Sequence, residues 1–276
     1  MAKLGRIVFS LEQPPGGTWD HQILRGLQPP LQERDYALIM HDASYNGACA
    51  EPEVPFGEQD MDALIVDGQA ATDKYLRQLR AAGVPIVLLG RILPDLDIPT
   101  VMPDNFGGAR LAVSHLIDHK HQRIVFVTGA PDTDDGRLRE QGYRAALKEA
   151  GLEFDQALVV RGDFNPDIAF ASVEQLVRQK IPFTALFGAD DDCALGAMRA
   201  LQQWGRAVPQ DVAVVGFNDL PEAYMSRPPL TTIRPYLRDL GMQAARTVLD
   251  LLDGKPVKNL VTLPVELIRR KSCGCI

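Results

Sequence analysis

Short runs of apolar, largely β-branched residues recur along the chain: RIVFS (6–10), YALIM (36–40), DALIV (62–66) and PIVLL (85–89), then RIVFVTG (123–129), ALVV (157–160), TALFG (184–188) and VAVVGF (212–217). Brief apolar runs bounded by turn residues are what strands covered on both faces require. Between them, WDHQILRGLQPPLQE, DKYLRQLRAAG, GGARLAVSHLIDH, GRLREQGYRAALKEAG, DIAFASVEQLVRQ and CALGAMRALQQWG place apolar residues three and four apart. That spacing is the signature of helices with one face on a sheet. The alternation predicts β-α-β units and therefore an α/β fold with parallel sheets.

The first series closes near His121 and a second opens with RIVFVTG, which predicts two Rossmann-like lobes. RPPLTTIRP reads as a crossing, LRDLGMQAARTVLDLLDG as a further helix and NLVTLPVELIRR as a last strand, so three segments are expected to join the lobes. The expected division is residues 1–120 plus 231–255 for the first lobe and 121–230 plus 256–276 for the second. A two-lobed arrangement of this kind takes its ligand in a cleft at the carboxyl ends of the strands and closes on it.

Charge narrows the partners. Lys and Arg total 29 against 36 Asp and Glu, a net charge of −7, which opposes a broad nucleic-acid face on this chain. No stretch approaches the roughly 18 apolar residues of a membrane span, and the apolar run near the start is too short for a secretory leader. The expectation is a cytoplasmic protein with no membrane partner.

Sites for cofactors and metals are not expected. GxGxxG, GxxxxGK[ST], HExxH and GxSxG are all missing from the chain. The adjacent glycines of FGGARLA read as loop chemistry rather than a phosphate cradle. Four cysteines, Cys49, Cys193, Cys273 and Cys275, are too scattered for a disulfide framework and are expected to be reduced. The CGC tail offers two soft ligands without a second pair at zinc spacing, and reads as an exposed terminus. His115 and His119, four apart, lack a third ligand and read as helix-end residues facing the dipole.

More informative is where polar residues collect, because each cluster follows a strand of the second series. VFVTGAPDTDDGRLR brings Arg137 and Arg139, VVRGDFN brings Asp163 and Phe164, TALFGADDD brings Asp190, Asp191 and Asp192, and VAVVGFND brings Asn218 and Asp219. Capping of the next helix accounts for one of the three acids, not all. Residues two apart on a helix point about 200° away from each other. One arginine should therefore face the cleft and the other brace its own loop through Asp132, Asp134 or Asp135. A guanidinium, a carboxylate and an amide suit neighbouring hydroxyls, while an aromatic ring covers a C–H face. Sugars and polyols fit that set, with Phe164 and Trp19 as stacking candidates or, equally, as packing residues. Replacing the cleft-facing arginine with alanine is expected to abolish binding with little effect on folding.

Taken together, PDNFGGARLAVSHLI, RLREQGYRAAL, GADDDCALGAMRAL, VAVVGFNDLP, RPPLTTIRP and PVELIRRKSCGC resemble the effector-binding region of LacI/GalR-type bacterial transcription regulators, in the family's order and spacing. The resemblance covers nearly the whole chain. It implies the type I periplasmic-binding-protein-like fold, a homodimer through both lobes, and DNA contact only through an N-terminal helix-turn-helix domain absent from this chain. Residue by residue, Arg139 matches the arginine that grips ligand hydroxyls, Asp190 the Asn or Asp that bonds the ligand before a helix, and Phe164 falls near a stacking aromatic. Asn218 stands where the family usually has an aspartate, with Asp219 next to it, and Lys120 replaces the usual glycine before HQRI.

The resulting expectation is a non-catalytic sensor of a small effector, a sugar or polyol, that controls DNA binding through lobe closure. The alternatives are a sensor for another signalling output, which the tail also resembles, and a transport-type sugar-binding protein. An enzyme using Asp190, Asp191 and Asp219 as paired acids is weighed against these and lacks a supporting motif.

Overall fold

The computed structural model describes residues 5–12, 17–43 and 56–275. Cys49 lies outside the described residues. The chain divides into two compact units, Met1–Pro103 with Tyr236–Leu263, and Asp104–Pro235 with Pro264–Ile276.

The first unit contains β1 (Gly5–Leu11), α1 (Thr18–Gln32), β2 (Tyr36–Asp42), β3 (Ala63–Asp67), α2 (Asp73–Ala81), β4 (Ile86–Leu89) and β5 (Thr100–Pro103). In the second follow α3 (Asn105–Asp118), β6 (Ile124–Val127), α4 (Asp134–Glu149), β7 (Val159–Val160), α5 (Pro166–Arg178), β8 (Ala185–Gly188), α6 (Asp191–Gln203), β9 (Ala213–Phe217), α7 (Pro221–Met225) and β10 (Thr231–Pro235). The chain then returns to the first unit for α8 (Leu237–Leu252) and β11 (Leu260–Leu263), and to the second for β12 (Val265–Ile268).

The first sheet runs β11-β5-β4-β3-β1-β2, with every pairing parallel. One face packs Ile7, Phe9 and Ile65 against Ile23 and Leu27 of α1 and Leu240, Ala244 and Val248 of α8. The other packs Val8, Leu64 and Val66 under Leu76 and Leu79 of α2. Glycine is required where α1 and α8 touch, since a Cβ on Gly26 would stand 2.0 Å from the Arg238 carbonyl oxygen and one on Gly241 2.1 Å from that of Ile23.

The second sheet runs β12-β10-β9-β8-β6-β7, parallel except where β12 lies antiparallel to β10. Val125, Val127, Leu186 and Val214 pack beneath α5 and α6. On the opposite face Phe126, Phe187, Val215 and Phe217 pack beneath α3 and α4. These runs are buried from end to end, as their lack of alternation predicted.

The boundaries differ from the expected division in three places. Residues 104–120 belong to the second unit, because Ala109, Ala112, Val113 and Leu116 of α3 are buried with Phe126, Tyr143 and Phe217. Within RPPLTTIRP lies a strand, β10, which pairs with β9 in the second sheet rather than joining the first lobe. NLVTLPVELIRR is two strands, not one: β11 pairs with β5, and β12 pairs with β10. Between them stands Pro264, which has no N–H to carry a ladder onward. FGGARLA is helix rather than loop, because Gly107 and Gly108 lie in the first turn of α3. A Cβ on Gly108 would come 2.7 Å from the Phe217 ring, so close packing is what that glycine allows. Lys120 does adopt the left-handed backbone, with φ +71°, that a glycine would take at a helix end.

Candidate functional site

In the second unit the loops after β6, β7, β8 and β9 leave the same edge of the parallel sheet, so their side chains gather on one rim. The α4 entry is fixed by Thr133, whose hydroxyl oxygen accepts from the Gly136 N–H at 3.1 Å. Helical side chains lean toward the N-terminus, so Arg139 reaches back over the first turn onto the rim. It is 1% exposed, a depth at which a guanidinium must be hydrogen-bonded.

Its partners are of two kinds. Nε donates to Asn105 Oδ1 at 2.8 Å and Nη1 to the Ala189 carbonyl at 2.7 Å. Nη2 reaches Asp135 Oδ2 and Asn218 Oδ1 only at 3.5 Å each. The guanidinium carbon lies 3.9 Å from the Phe217 ring centroid and 5.6 Å from that of Phe164. Burial lowers the Arg139 pKa, while the charges of Asp135, Asp190 and Asp191 oppose the shift. The arginine is thus held firmly on two sides, and Nη2 is its weakly held corner.

Around it the backbone is unusual. Asp163, Phe164, Asn218 and Asp219 all take positive φ, at 54°, 56°, 109° and 54°. Asp and Asn tolerate this region, but phenylalanine does not readily, and each such residue costs about 1–3 kcal/mol. Packing holds the Phe164 turn in place: its ring lies on Gly129, where an added Cβ would meet it at 2.2 Å.

The three acids before α6 separate into three roles. Asp190 is the helix N-cap, accepting from the Cys193 N–H at 2.8 Å, and burial raises its pKa against that bond. Asp191 is fully buried and accepts from the Thr232 hydroxyl and, at 2.7 Å, from the Leu220 N–H. Burial pushes its carboxyl well above the ordinary range despite those bonds. Asp192, less deeply placed, is raised to about 6 by burial and by the charges of Asp190 and Glu222.

Asp219 is oriented away from this group's hydrogen bonds. Its carboxylate accepts from Arg234 Nε at 2.6 Å and from Arg270 Nη2, so it ties its loop to β10 and to the segment after β12. Arg137 is half-exposed and pairs with Asp134, the loop-bracing role expected of one of the two arginines. Beside it, Thr128, Pro131, Glu140, Arg161 and Asp163 line an open cavity of about 210 Å³. Trp19 stands in the first unit, half-buried against that unit's core near the start of α1. Arg139, Asn218 and Phe164 are therefore brought together with Asp190 close enough to act on the arginine's charge, whereas Asp219, Arg137 and Trp19 have other partners.

Two residues of the rim escape sequence reasoning. Asn105 donates to Asp135 Oδ1 at 2.7 Å while accepting from Arg139, and Phe217 supplies the ring under the guanidinium. Asn105 follows the cap of α3, whose Asp104 accepts from the Gly107 N–H, so a capping signal was its only local mark.

Comparison with known proteins gives a consistent answer. Residues 113–273 match the family described as periplasmic binding protein-like domain. The HTH-type transcriptional regulator CelR of Thermobifida fusca is 37% identical over 212 residues, which are 76% of this chain and 61% of that protein. The chain belongs to the LacI-type, periplasmic-binding-protein-like family. Among solved members, a transcriptional regulator CelR-cellobiose complex superposes with a TM-score of 0.84 at 30% identity, covering 97% of this chain and 84% of that one. A LacI-family regulatory protein from Chloroflexus aggregans gives 0.83 at 25% identity, covering 98% of each. Because the chain spans 61% of the length of the Thermobifida fusca relative, the likeness to that LacI-type regulator concerns a part of it. Among the described residues no helix is long and apolar enough to cross a membrane.

Proposed function

We propose that the chain is the effector-sensing region of a LacI-type transcriptional regulator, and that the rim around Arg139 binds hydroxyls of a carbohydrate or polyol. The observation that carries this reading is the asymmetry of Arg139: two short bonds fix the guanidinium, and Nη2 has only two contacts of 3.5 Å. A ligand oxygen at Nη2 would replace long bonds with a short, charge-assisted one, while the amide of Asn218 both donates and accepts. Phe164 supplies a ring for the C–H face of a sugar. The relative solved with cellobiose supports a saccharide as the ligand class.

The reading is non-catalytic. Asp190 caps a helix, Asp191 is enclosed, and the Asp219 oxygens are engaged by two arginines, so the acids do not form the open pair that hydrolysis needs. Output is assigned to the DNA-binding domain of a homodimeric cytoplasmic regulator, with effector occupancy changing operator affinity by the usual coupling of about 1–3 kcal/mol.

A thermal-shift screen against mono- and disaccharides, polyols and nucleosides, followed by calorimetry of each hit, tests the reading. A hit whose affinity falls at least tenfold in Asn218→Ala supports it. Binding that is equally tight in that variant places the ligand elsewhere, with the cavity beside Arg137 as the next site to probe.

A further inference from the structure

Two motifs 154 or more residues apart in sequence meet at the far side of the second unit, and neither belongs to the rim. On α3, His115 and His119 stand one turn apart, with ring centroids 4.7 Å from each other. The CGC tail folds back onto them. Cys275 Sγ lies 3.4 Å from His115 Nε2 and 3.4 Å from His119 Nε2. The ligand atoms of His115, Cys273 and Cys275 all lie within 4.8 Å of one another.

The two distances from the Cys275 sulfur to the imidazole nitrogens are those of a metal's coordination shell. Tetrahedral zinc, with bonds of about 2.3 Å to sulfur and about 2.0 Å to nitrogen, sets sulfur and nitrogen ligands about 3.5 Å apart. Two thiolates and two imidazoles are a preferred set for that ion, and a poor one for magnesium or calcium. We propose that His115, His119, Cys273 and Cys275 form a four-ligand zinc site that fastens the tail to α3. With all four positions supplied by protein, the site is closed and its role structural.

The surroundings are built to hold the ligands in place. Thr231 Oγ1 donates to Cys273 Sγ at 3.1 Å, the kind of outer bond that orients a thiolate ligand. That same hydroxyl oxygen accepts from the Arg270 N–H at 2.8 Å. Ser272 anchors the residue before Cys273: its hydroxyl accepts from Thr231 N–H at 2.8 Å and donates to the Val214 carbonyl at 2.6 Å, while its own carbonyl accepts from Val214 N–H at 2.8 Å. Gly274, with φ +82°, makes the bend that turns both sulfurs toward α3. His115 and Cys273 form the buried side, and His119 completes the set from the solvent side.

The test uses the whole chain, purified under reducing conditions, loaded with zinc chloride and desalted. Elemental analysis should find one zinc per chain, and cobalt(II) in its place should give the intense visible absorption and thiolate charge-transfer band of a tetrahedral thiolate site. His119→Gln and Cys275→Ser, both at the accessible side, should each weaken zinc in chelator competition by more than about 100-fold, beyond the loss caused by removing an outer-shell partner. Circular dichroism should stay unchanged in both variants. No stoichiometric zinc in the unmodified chain, a pale octahedral cobalt spectrum, or equal zinc affinity in the two variants would each overturn the proposal. None of these readouts involves the sugar site, so the two assignments stand or fall separately.

Discussion

Two charges on the second unit are taken out of water in contrasting ways. Asp219 gives both oxygens to arginines, Arg234 and Arg270, which come from β10 and from the segment after β12. Arg139 has two short bonds and two long ones, beside an aromatic floor. A saturated carboxylate is a fastener, since a ligand would have to displace an arginine to reach it. An arginine with a weakly held corner is a fastener on one side and, in the proposed function, a receptor on the other. The motif VAVVGFND serves each of them, since Asn218 reaches Arg139 and its neighbour Asp219 holds Arg234 and Arg270.

The comparison can be broken most severely at Arg139. Arg139→Ala should destabilise the chain by about 3–5 kcal/mol in urea unfolding, because Asn105, Asp135 and the Ala189 carbonyl lose a buried charged partner. The burial of Arg139 thus revises the expectation that folding would stay nearly intact, while the binding role remains that of the proposed function; an unchanged urea midpoint would show that Arg139 is not held as described. Next comes Asp219→Asn, which keeps the shape and removes the charge between two arginines, and should cost about 1–3 kcal/mol with effector affinity unchanged. Lost affinity without lost stability would turn Asp219 back into a ligand residue. The smallest effect belongs to Arg137→Ala, within about 0.5 kcal/mol, because an exposed i,i+3 pair with Asp134 contributes little. A larger penalty there would erase the difference between the two arginines of α4.

What the sequence made legible follows the range of the forces involved. Eight strands were readable as short, largely apolar runs, and central ones such as β4, β6, β8 and β9 are buried along their whole length, which leaves no polar position within them. The 200° separation of Arg137 and Arg139 was likewise local helix geometry, and their separate fates follow from it. Harder to read were β5, at Thr100–Pro103, and β10, at Thr231–Pro235, which carry threonines and prolines and owe their strand state to neighbours in the sheet. The chain's return from β11 to β12 was hidden as well, since Pro264 breaks one apolar stretch into two strands of different units.

By itself the sequence determined the α/β alternation, the family, and the set of polar residues at the strand ends, because periodicity and motif order are written within a few residues of each other. Tertiary structure alone decided which of those residues are partners. Asn105 meets Arg139, Arg270 meets Asp219, and Cys275 meets His115 across 160 positions. Hydrogen bonds and metal ligation act over about 2–4 Å, so separations of that length in space carry no trace along the chain until the sheet brings the strands together.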